Sequence, residues 1–217
     1  MSPPAGLVLL RHRLSVERLA PYDAAGRGDA IRGLILYQWN TDISAAFYGL
    51  LQGVEVILRN ALHDQLTTWH RAKGRPGFWF DDPGRILEEH RHQDVAEARR
   101  RIRRQGKVET PGRVVAELSF GFWRYLLSSR YEQTLWTPAL RHAFPHLRPQ
   151  RRRAIAQPVE RLHRLRNRIA HHEPIHSRDL ARDQADAHAI VAAICPYTRI
   201  WLASTSLVTG TLRARPP

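Results

Sequence analysis

Residues 42–69 read DISAAFYGLLQGVEVILRNALHDQLTTW, and apolar side chains recur in this stretch at intervals of three and four residues. Such spacing places them on one face of an α-helix, which has 3.6 residues per turn. Thr41 or Asp42 can cap the start, because a short polar side chain accepts hydrogen bonds from the free amides of a first turn. The stretch therefore predicts a helix reaching about Trp69 that buries one stripe, formed by Ile43, Phe47, Leu50, Val54, Ile57, Leu58, Ala61 and Leu66.

Helical periodicity continues on both sides of this stretch, and strand patterns are scarce. Pro, Gly and capping residues set the expected helix boundaries. In the first half of the chain we expect a short helix over 16–19 stopped by Pro21, one from Asp29 to Tyr37 or Trp39, and, after the long helix, one over 85–105 ended by Gly106. In the second half we expect helices from Thr110 through Leu126, over 131–144 with a break at Pro138, over 150–170, and from Ser177 to about Leu202. A loop at 73–83 carries Phe78, Trp79 and Phe80, which could stack on bases but are interpreted as anchors on the core. We expect a single all-α domain over residues 1–217, with its core at about 14–205 and a frayed tail at 210–217.

The chain carries a large excess of positive charge, with 34 Lys and Arg against 20 Asp and Glu and a formal net charge of +14. Such an excess indicates a polyanionic partner. Cys195 is the only cysteine, so an intramolecular disulfide is excluded. The apolar patch at 7–10 is too short for a signal-peptide core, and no apolar run is long enough to span a bilayer. We therefore expect a cytoplasmic protein without a membrane partner.

The most informative polar stretch is LRNRIAHHEPI at residues 165–175. Asn167 and His171 are four residues apart and share a helix face. Arg166 and His171 differ by about 140° on an ideal helix, so they converge only if the helix end loosens or if both face a wide cleft. Pro174 predicts a helix end near Glu173.

These groups suit the cleavage of an RNA phosphodiester. A His can move a proton to or from the ribose 2′-OH near neutral pH, and an Arg can hold the phosphate and stabilise its developing charge. The 2′-OH is then the nucleophile, so neither a metal nor a cofactor is expected. The residues alone fit a simpler interpretation as well, in which His171 caps the helix and Arg166 is solvated.

The arrangement Arg-Asn-x-x-x-His, formed by Arg166, Asn167 and His171, resembles the signature of the HEPN superfamily of α-helical RNases. Three further blocks precede it: YQWN at 37–40, VEVILRN at 54–60 and ELSFGFW at 117–123. Together, and in this order, the four blocks resemble the Abi-like family of bacterial abortive-infection proteins over roughly residues 14–205.

The resemblance implies a HEPN-like helical bundle with additional helices, in which a two-fold homodimer brings two motifs to one cleft. It also implies a metal-independent endoribonuclease that acts on RNA in phage defence or as a toxin, with an antitoxin protein or RNA as a possible further partner. By motif match, Arg166 and His171 take the catalytic places and Asn167 the supporting polar place. The rival hypothesis is a non-catalytic helical module that binds RNA or a protein partner.

A polar strip lies beside the apolar stripe of the long helix, where Glu55, Arg59 and His63 follow one another at four-residue intervals. Such a strip fits an ordinary ion pair between neighbouring turns. It equally fits a second wall of the cleft, because a charged strip within an apolar helix requires a partner. The family resemblance favours the second interpretation, with Glu55, Arg59 and Asn60 lining the site.

Residues 172–176 match His-Glu-x-x-His, the zinc-protease motif. That motif requires both His side chains on one helical face, and Pro174 lies between them. With no obvious third ligand, no metal site is expected.

Two arginine clusters provide candidate phosphate contacts. RRRIRRQGK at 99–107 contains no acidic residue, and four arginines fall within 148–153. Charge runs usually form a solvated helix face. Two such clusters without compensating acids favour nucleic acid instead, and the residues expected to contact RNA are Arg100, Arg103, Arg104, Arg151 and Arg152.

Overall fold

The computed structural model describes residues 5–217, and the regular secondary structure of this range is helical, with no strand. The expected all-α class is confirmed. No helix in this range is apolar over a length sufficient to cross a membrane. The α-helices are α1 (Ala5–Leu14), α2 (Val16–Ala25), α3 (Ala30–Ala72), α4 (Glu89–Arg104), α5 (Pro111–Glu117), α6 (Phe120–Leu126), α7 (Arg152–Ala170), α8 (Leu180–Ile194), α9 (Pro196–Thr205) and α10 (Val208–Arg213).

The central element is α3, which spans 43 residues and is about 65 Å long at 1.5 Å per residue. Most of its predicted stripe is buried, including Ile43, Phe47, Val54 and Leu58, which have no exposed surface. Helices α2, α6, α7, α8 and α10 all pack against it. The periodicity of the long helix is therefore confirmed, and α3 is the axis on which the other elements are placed.

The two helices expected on either side of Asn40 form one continuous helix. The Thr41 hydroxyl donates to the carbonyl of Tyr37 at 3.1 Å, four residues back, and the Gln38 amide donates to Asp42 at 2.9 Å. Both polar side chains are thus used within the helix rather than as caps. No Gly or Pro interrupts residues 37–42, so the separate caps expected at Thr41 or Asp42 are wrong.

Pro21 does not stop the helix that Ser15 caps, because α2 continues to Ala25 with the proline inside it. An interior proline costs about 3 kcal/mol. Leu19 and Tyr22 on either side of it are buried, and full burial of a large apolar side chain contributes about 1.5–3 kcal/mol. Packing against α3 therefore outweighs the local break.

Two other expected helices are each divided by a local signal. The helix that Thr110 caps ends at Glu117, and Ser119 caps α6 by accepting from the Phe122 amide at 3.3 Å. The helix after Ser177 is capped instead by Asp179, which accepts from the Arg182 amide at 3.0 Å, and it ends before the Cys195–Pro196 step that begins α9.

The segments expected as a helix at 131–144 and as a loop at 73–83 also differ in detail. Residues 129–143 form short 3-10 and π turns rather than an α-helix. In the loop, Trp79 and Phe80 are buried as expected, whereas Phe78 is 46% exposed.

The expected frayed tail is helical over much of its length. Helix α10 packs on α3 and α8, its Val208 is fully buried, and the Trp39 indole donates to the carbonyl of Thr211 at 2.8 Å. The expectation of fraying is therefore wrong for residues 210–213.

Candidate functional site

Helix α7 ends in a tight turn that fixes the backbone of the motif. The His172 amide donates to the carbonyl of Ile169 at 3.0 Å, and the Glu173 amide donates to that of Arg168 at 2.8 Å. This pair of bonds is a Schellman motif, in which glycine usually takes the left-handed position. Here the position is occupied by His172, with φ at 55°. The helix consequently ends at Ala170, as predicted for the helix over 150–170, and three residues before the end near Glu173 that Pro174 predicts.

A groove runs between α3 and the end of α7, with α2 at its side. It consists of two adjoining cavities of about 910 and 220 Å³, which share Tyr48 and Arg166 as lining residues. We call it the α3–α7 groove; its other lining residues are Arg13, Leu14, Arg18, Tyr22, Tyr37, Asn40, Thr41, Ser44, Ala45, Leu51, Gln52, Glu55, Val56, Arg59, Ile169, Ala170, His172 and Glu173.

One wall of this groove is a stripe of polar and aromatic residues along α3. Its members recur at intervals of three and four residues and all line the groove: Tyr37, Thr41, Ser44, Tyr48, Gln52, Glu55 and Arg59. Sequence reasoning recognised only the part beginning at Glu55. The same 3.6-residue periodicity could have revealed the rest, had residues 37–59 been treated as one helix.

Arg166 stands out from the neighbouring arginines of α7 because its guanidinium has no partner within the part of the chain that the structure describes. Among residues 5–217 it forms neither a hydrogen bond nor an ion pair, although it is half-buried at the junction of the two cavities. The arginines around it on α7 are occupied: Arg161 bonds Asp186, Arg164 bonds Glu160, and Arg168 bonds the carbonyl of Pro174. Arg166 is thus a partly desolvated cation in the groove without a partner among residues 5–217.

Glu55 lines the smaller cavity together with this cation. Burial raises the pKa of its carboxyl, and the nearby Arg166 and Arg59 guanidiniums and a hydrogen bond from the Phe120 amide oppose that rise. The structure therefore brings Glu55, Arg59 and Arg166 together, as the polar-strip hypothesis requires. It also gives a role to the block at 117–123, whose Phe120 amide faces the same carboxylate.

The other members of the predicted strip lie elsewhere. Asn60 is exposed outside the groove and accepts a bond from Arg59 Nε at 3.3 Å. His63 accepts from the Trp79 indole at 2.9 Å, which anchors the 73–83 loop. Burial lowers the pKa of His63. Neither side chain lines the cavities that Arg166 lines, so Asn60 and His63 do not form part of the groove wall in the single chain.

The structure does not bring His171 to Arg166 within one chain. His171 is the exposed C-cap of α7, its amide donates to the Asn167 carbonyl at 2.9 Å, and its side chain lines neither cavity of the groove. Asn167 is half-buried and is also outside both cavities. The helix end has not loosened in the way that would let Arg166 and His171 converge, so the angular separation expected from the sequence persists.

His163 is a residue near the site that sequence reasoning missed. It precedes Arg166 by one turn on α7, and a Cβ at Gly121 would lie only 3.2 Å from its Nε2. Burial, together with Arg124 and other nearby charges, lowers the pKa of His163. The signal that could have indicated it is the three-residue interval to Arg166, which places both on one helix face.

Asn40 ties α3 to the segment that follows α7. Its side chain is buried, and its carbonyl oxygen accepts from the amides of Ile175 and His176 at 2.8 and 3.0 Å. On the other side, Arg18 of α2 donates to the carbonyl of His172 at 2.6 Å. The YQWN block thus holds the two walls of the groove together.

The α4 cluster is compensated in part by acids that the linear sequence places outside it. Glu97 lies 2.7 Å from Arg100, 3.5 Å from Arg101 and 3.8 Å from Arg104, and Glu109 lies 3.6 Å from Arg103. The premise that the cluster lacks acids is therefore wrong. The side chains remain more than half exposed, so a phosphate contact is still sterically open to them.

Arg152 differs from the surface residue expected. Its side chain is 8% exposed, and it bonds Glu132 at 2.9 Å and the carbonyl of Leu127 at 2.8 Å. The expectation that it contacts RNA at the surface is corrected to a structural role, since its charge is already paired. Arg151 is exposed.

The His-Glu-x-x-His match does not form a helix. His172 lies in the left-handed turn, whereas His176 is buried and packs on Tyr22 with 4.9 Å between ring centroids. Across the part of the chain that the structure describes, no three His, Cys, Asp or Glu side chains are grouped to hold a metal ion. His176 is thus a packing residue beside the groove.

Comparison with known proteins gives no relative for this chain. No family model, no curated protein and no solved structure matches it. The resemblance carried by the four sequence blocks therefore stays a hypothesis, and a function for this chain has to be inferred from the geometry of the α3–α7 groove.

Proposed function

We propose that this chain is a metal-independent endoribonuclease that binds RNA in the α3–α7 groove and cleaves it by attack of a ribose 2′-OH. The observation that carries the proposal is Arg166, a half-buried cation without a partner among residues 5–217, at the centre of a groove. The resemblance adds the role of a phage-defence effector or toxin.

An unpaired, partly buried guanidinium favours an anionic ligand. Removing a cation from water without a compensating partner is unfavourable, and an incoming phosphate restores the missing interaction with two parallel hydrogen bonds. Arg13, Arg18 and Arg59 also line the groove, against the carboxylates of Glu55 and Glu173. The groove is therefore suited to a ligand with several phosphates.

Aromatic side chains in the same groove favour a single-stranded nucleic acid. Tyr37 and Tyr48 line it, Tyr37 is half-buried, and Tyr48 is 55% exposed. Unpaired bases stack on such rings, and the contribution is about 1–3 kcal/mol per base. RNA loops and single strands offer splayed bases together with phosphates, whereas a duplex hides its bases.

The chemical step requires a proton acceptor and a proton donor. In the proposed reaction a base removes the 2′-OH proton, the 2′-oxygen bonds to phosphorus, and the 5′-oxygen leaves with a proton, which yields a 2′,3′-cyclic phosphate and a 5′-hydroxyl. His171 supplies one such group per chain. We therefore include a two-fold homodimer in the proposal, with His171 of each copy near the axis, so that the shared cleft holds two His side chains.

The position of His171 also favours a second candidate function. Because His171 lies outside the groove of its own chain, a module that binds RNA without cleaving it fits the single-chain geometry. The two functions differ in one observable: only the nuclease changes the length of a bound RNA.

The test is an RNA cleavage assay in EDTA with mapping of the product ends, run beside light scattering of the same sample. We expect cyclic or 3′-phosphate and 5′-hydroxyl ends from a dimer, no cleavage of DNA, and a loss of about 10²–10⁴-fold in rate for His171→Ala. His90→Ala is the matched control, since His90 is exposed on α4 away from the groove. Cleavage that requires a metal and leaves 5′-phosphate ends would overturn the mechanism, and cleavage by a monomer would overturn the shared cleft.

A further inference from the structure

A separate cavity at the start of α7 collects arginines that the α3–α7 groove does not use. It has a volume of about 360 Å³ and lies between the first turn of α7 and the π turn at 132–136. Arg141, Arg151, Arg152 and Arg153 line it, and Glu132 is its only acidic lining residue. We call it the α7-start cavity.

The single acid of this cavity is already occupied. Glu132 accepts from Arg152 at 2.9 Å, and the buried Arg152 side chain also donates to the carbonyl of Leu127. This pair forms a fixed, neutral wall. The charge that remains in the cavity is therefore set by the other three arginines.

Arg141, Arg151 and Arg153 are exposed side chains, and none of them has an ion pair within residues 5–217. The nearest polar contact is a 3.5 Å approach of Arg141 Nε to the ring of its neighbour His142. This differs from α4, where each arginine of the run at 99–104 lies within 4 Å of a carboxylate. Three uncompensated guanidiniums thus converge on one concave surface.

We propose that the α7-start cavity binds a phosphate group of a nucleotide or an RNA. Three arginine forks present donors in the planar geometry that phosphate oxygens match. The first turn of α7 adds to the positive field, because it contains no acidic residue and Arg151 does not cap it through its side chain. Arg152 acts here as a positioning residue that holds the wall and does not contact the phosphate.

This site is distinct from the groove at the other end of α7. Arg153 and Arg166 are separated by 13 positions, or about 20 Å along the helix axis, so one phosphate cannot contact both. The inference does not depend on cleavage, and it stands if the chain only binds RNA. Two sources can supply the group: a phosphodiester within an RNA strand, or the terminal phosphomonoester of a nucleotide or RNA end.

The test compares the triple variant Arg141→Gln, Arg151→Gln and Arg153→Gln with a control variant of equal charge, Arg71→Gln, Arg182→Gln and Arg199→Gln. All six side chains are exposed, and thermal melting establishes that both variants fold. The probes are a 2′-O-methyl oligoribonucleotide with a 5′-phosphate, the same strand with a 5′-hydroxyl, AMP and adenosine. Affinities are measured over a range of salt concentrations.

We expect the cavity variant to bind RNA more weakly than the control variant, with a salt slope lower by about 1 for each phosphate that its side chains no longer neutralise. Equal reductions for both RNA ends, without AMP binding, identify a backbone phosphodiester as the ligand. A reduction confined to the 5′-phosphorylated strand and to AMP identifies a terminal phosphomonoester. If the cavity and control variants bind RNA and AMP alike, the proposal is overturned, and the groove proposal is unaffected because its residues are unchanged.

Discussion

Helix α4 and the end of α7 both carry closely spaced arginines, but their surroundings differ. In α4, Glu97 lies between 2.7 and 3.8 Å from Arg100, Arg101 and Arg104. At the end of α7, Arg166 is half-buried and has no partner among the described residues. The density of charge in the sequence is higher in α4, yet the available charge is at Arg166. Pairing in space, rather than frequency along the chain, therefore identifies the candidate site.

The largest effect is expected from the loss of Arg166. We expect Arg166→Ala to reduce cleavage by about 10²–10³-fold, because a donor aimed at developing charge is removed. Arg166→Lys keeps the charge but loses the planar fork, so cleavage should still fall markedly. The measurement is single-turnover cleavage of a labelled RNA.

Arg164→Ala is the matched control for this experiment. Arg164 lies on the same helix, its side chain is 70% exposed, and it pairs with Glu160, which lies one helical turn before it. Such an exposed pair contributes little to stability. Equal losses of cleavage rate in Arg166→Ala and Arg164→Ala would show that Arg166 has no special role in cleavage.

A smaller, pH-dependent effect is expected because the pKa values of Glu55, in the groove, and Glu97, in α4, are shifted in opposite directions. Burial raises the pKa of Glu55 above its ordinary value of 4.5, whereas a hydrogen bond from Arg100 lowers the pKa of Glu97. The contribution of Glu55 to folding stability is thus present below its unfolded pKa and lost as pH rises through its folded pKa. That of Glu97 is present above its unfolded pKa and lost as pH falls through its folded pKa.

Thermal melting of Glu55→Gln and Glu97→Gln between acid and neutral pH measures both signs. Relative to the unsubstituted protein, we expect Glu55→Gln to gain stability as pH rises through the range just above 4.5, the ordinary carboxyl value. Glu97→Gln should lose stability over the rise from strongly acid pH to that value. The same sign for both variants would contradict the difference drawn between the regions.

The smallest effect is expected in α4. Replacing Arg100, Arg103 and Arg104 by Gln removes charges that share the carboxylates of Glu97 and Glu109, so RNA affinity and its salt slope should change less than in the triple variant of the α7-start cavity. Filter binding at several salt concentrations measures both quantities. If the salt slope of RNA binding changes more in the α4 variant than in the cavity variant, the RNA contact lies at α4.

The long apolar stripe of α3 could be predicted from the sequence because periodicity is a local property. The continuity of α3 through Asn40 could not be predicted, because Thr41 and Asp42 are compatible with a helix start as well as with a helix interior. The contacts that favour the continuous helix come from far along the chain, where the amides of Ile175 and His176 donate to Asn40. Splitting the helix there hid the polar and aromatic stripe from Tyr37 to Arg59. The error in one boundary thus concealed a whole wall of the groove.

The site was predictable in part for the same reason. The motif identified Arg166, and the polar strip identified Glu55 and Arg59, because both are patterns within one helix. The fate of Arg152 depends on Glu132, which is 20 residues away, and the exposure of His171 depends on how α7 ends. Such facts follow from tertiary packing, which composition and spacing do not encode.

The hydrogen bonds between Asn40 and the segment at 175–176 join residues that are more than 130 positions apart. During synthesis, Asn40 therefore leaves the ribosome well before its partners do. At about 5–20 residues per second, a ribosome takes roughly 5–20 s to extend the chain from the end of α3 to this segment. Until then α3 lacks the α7 wall, and a nascent chain contains Tyr48 and Glu55 but no Arg166. The groove can therefore form only after residue 176 has been synthesised, and a chain that ends before Arg166 lacks it.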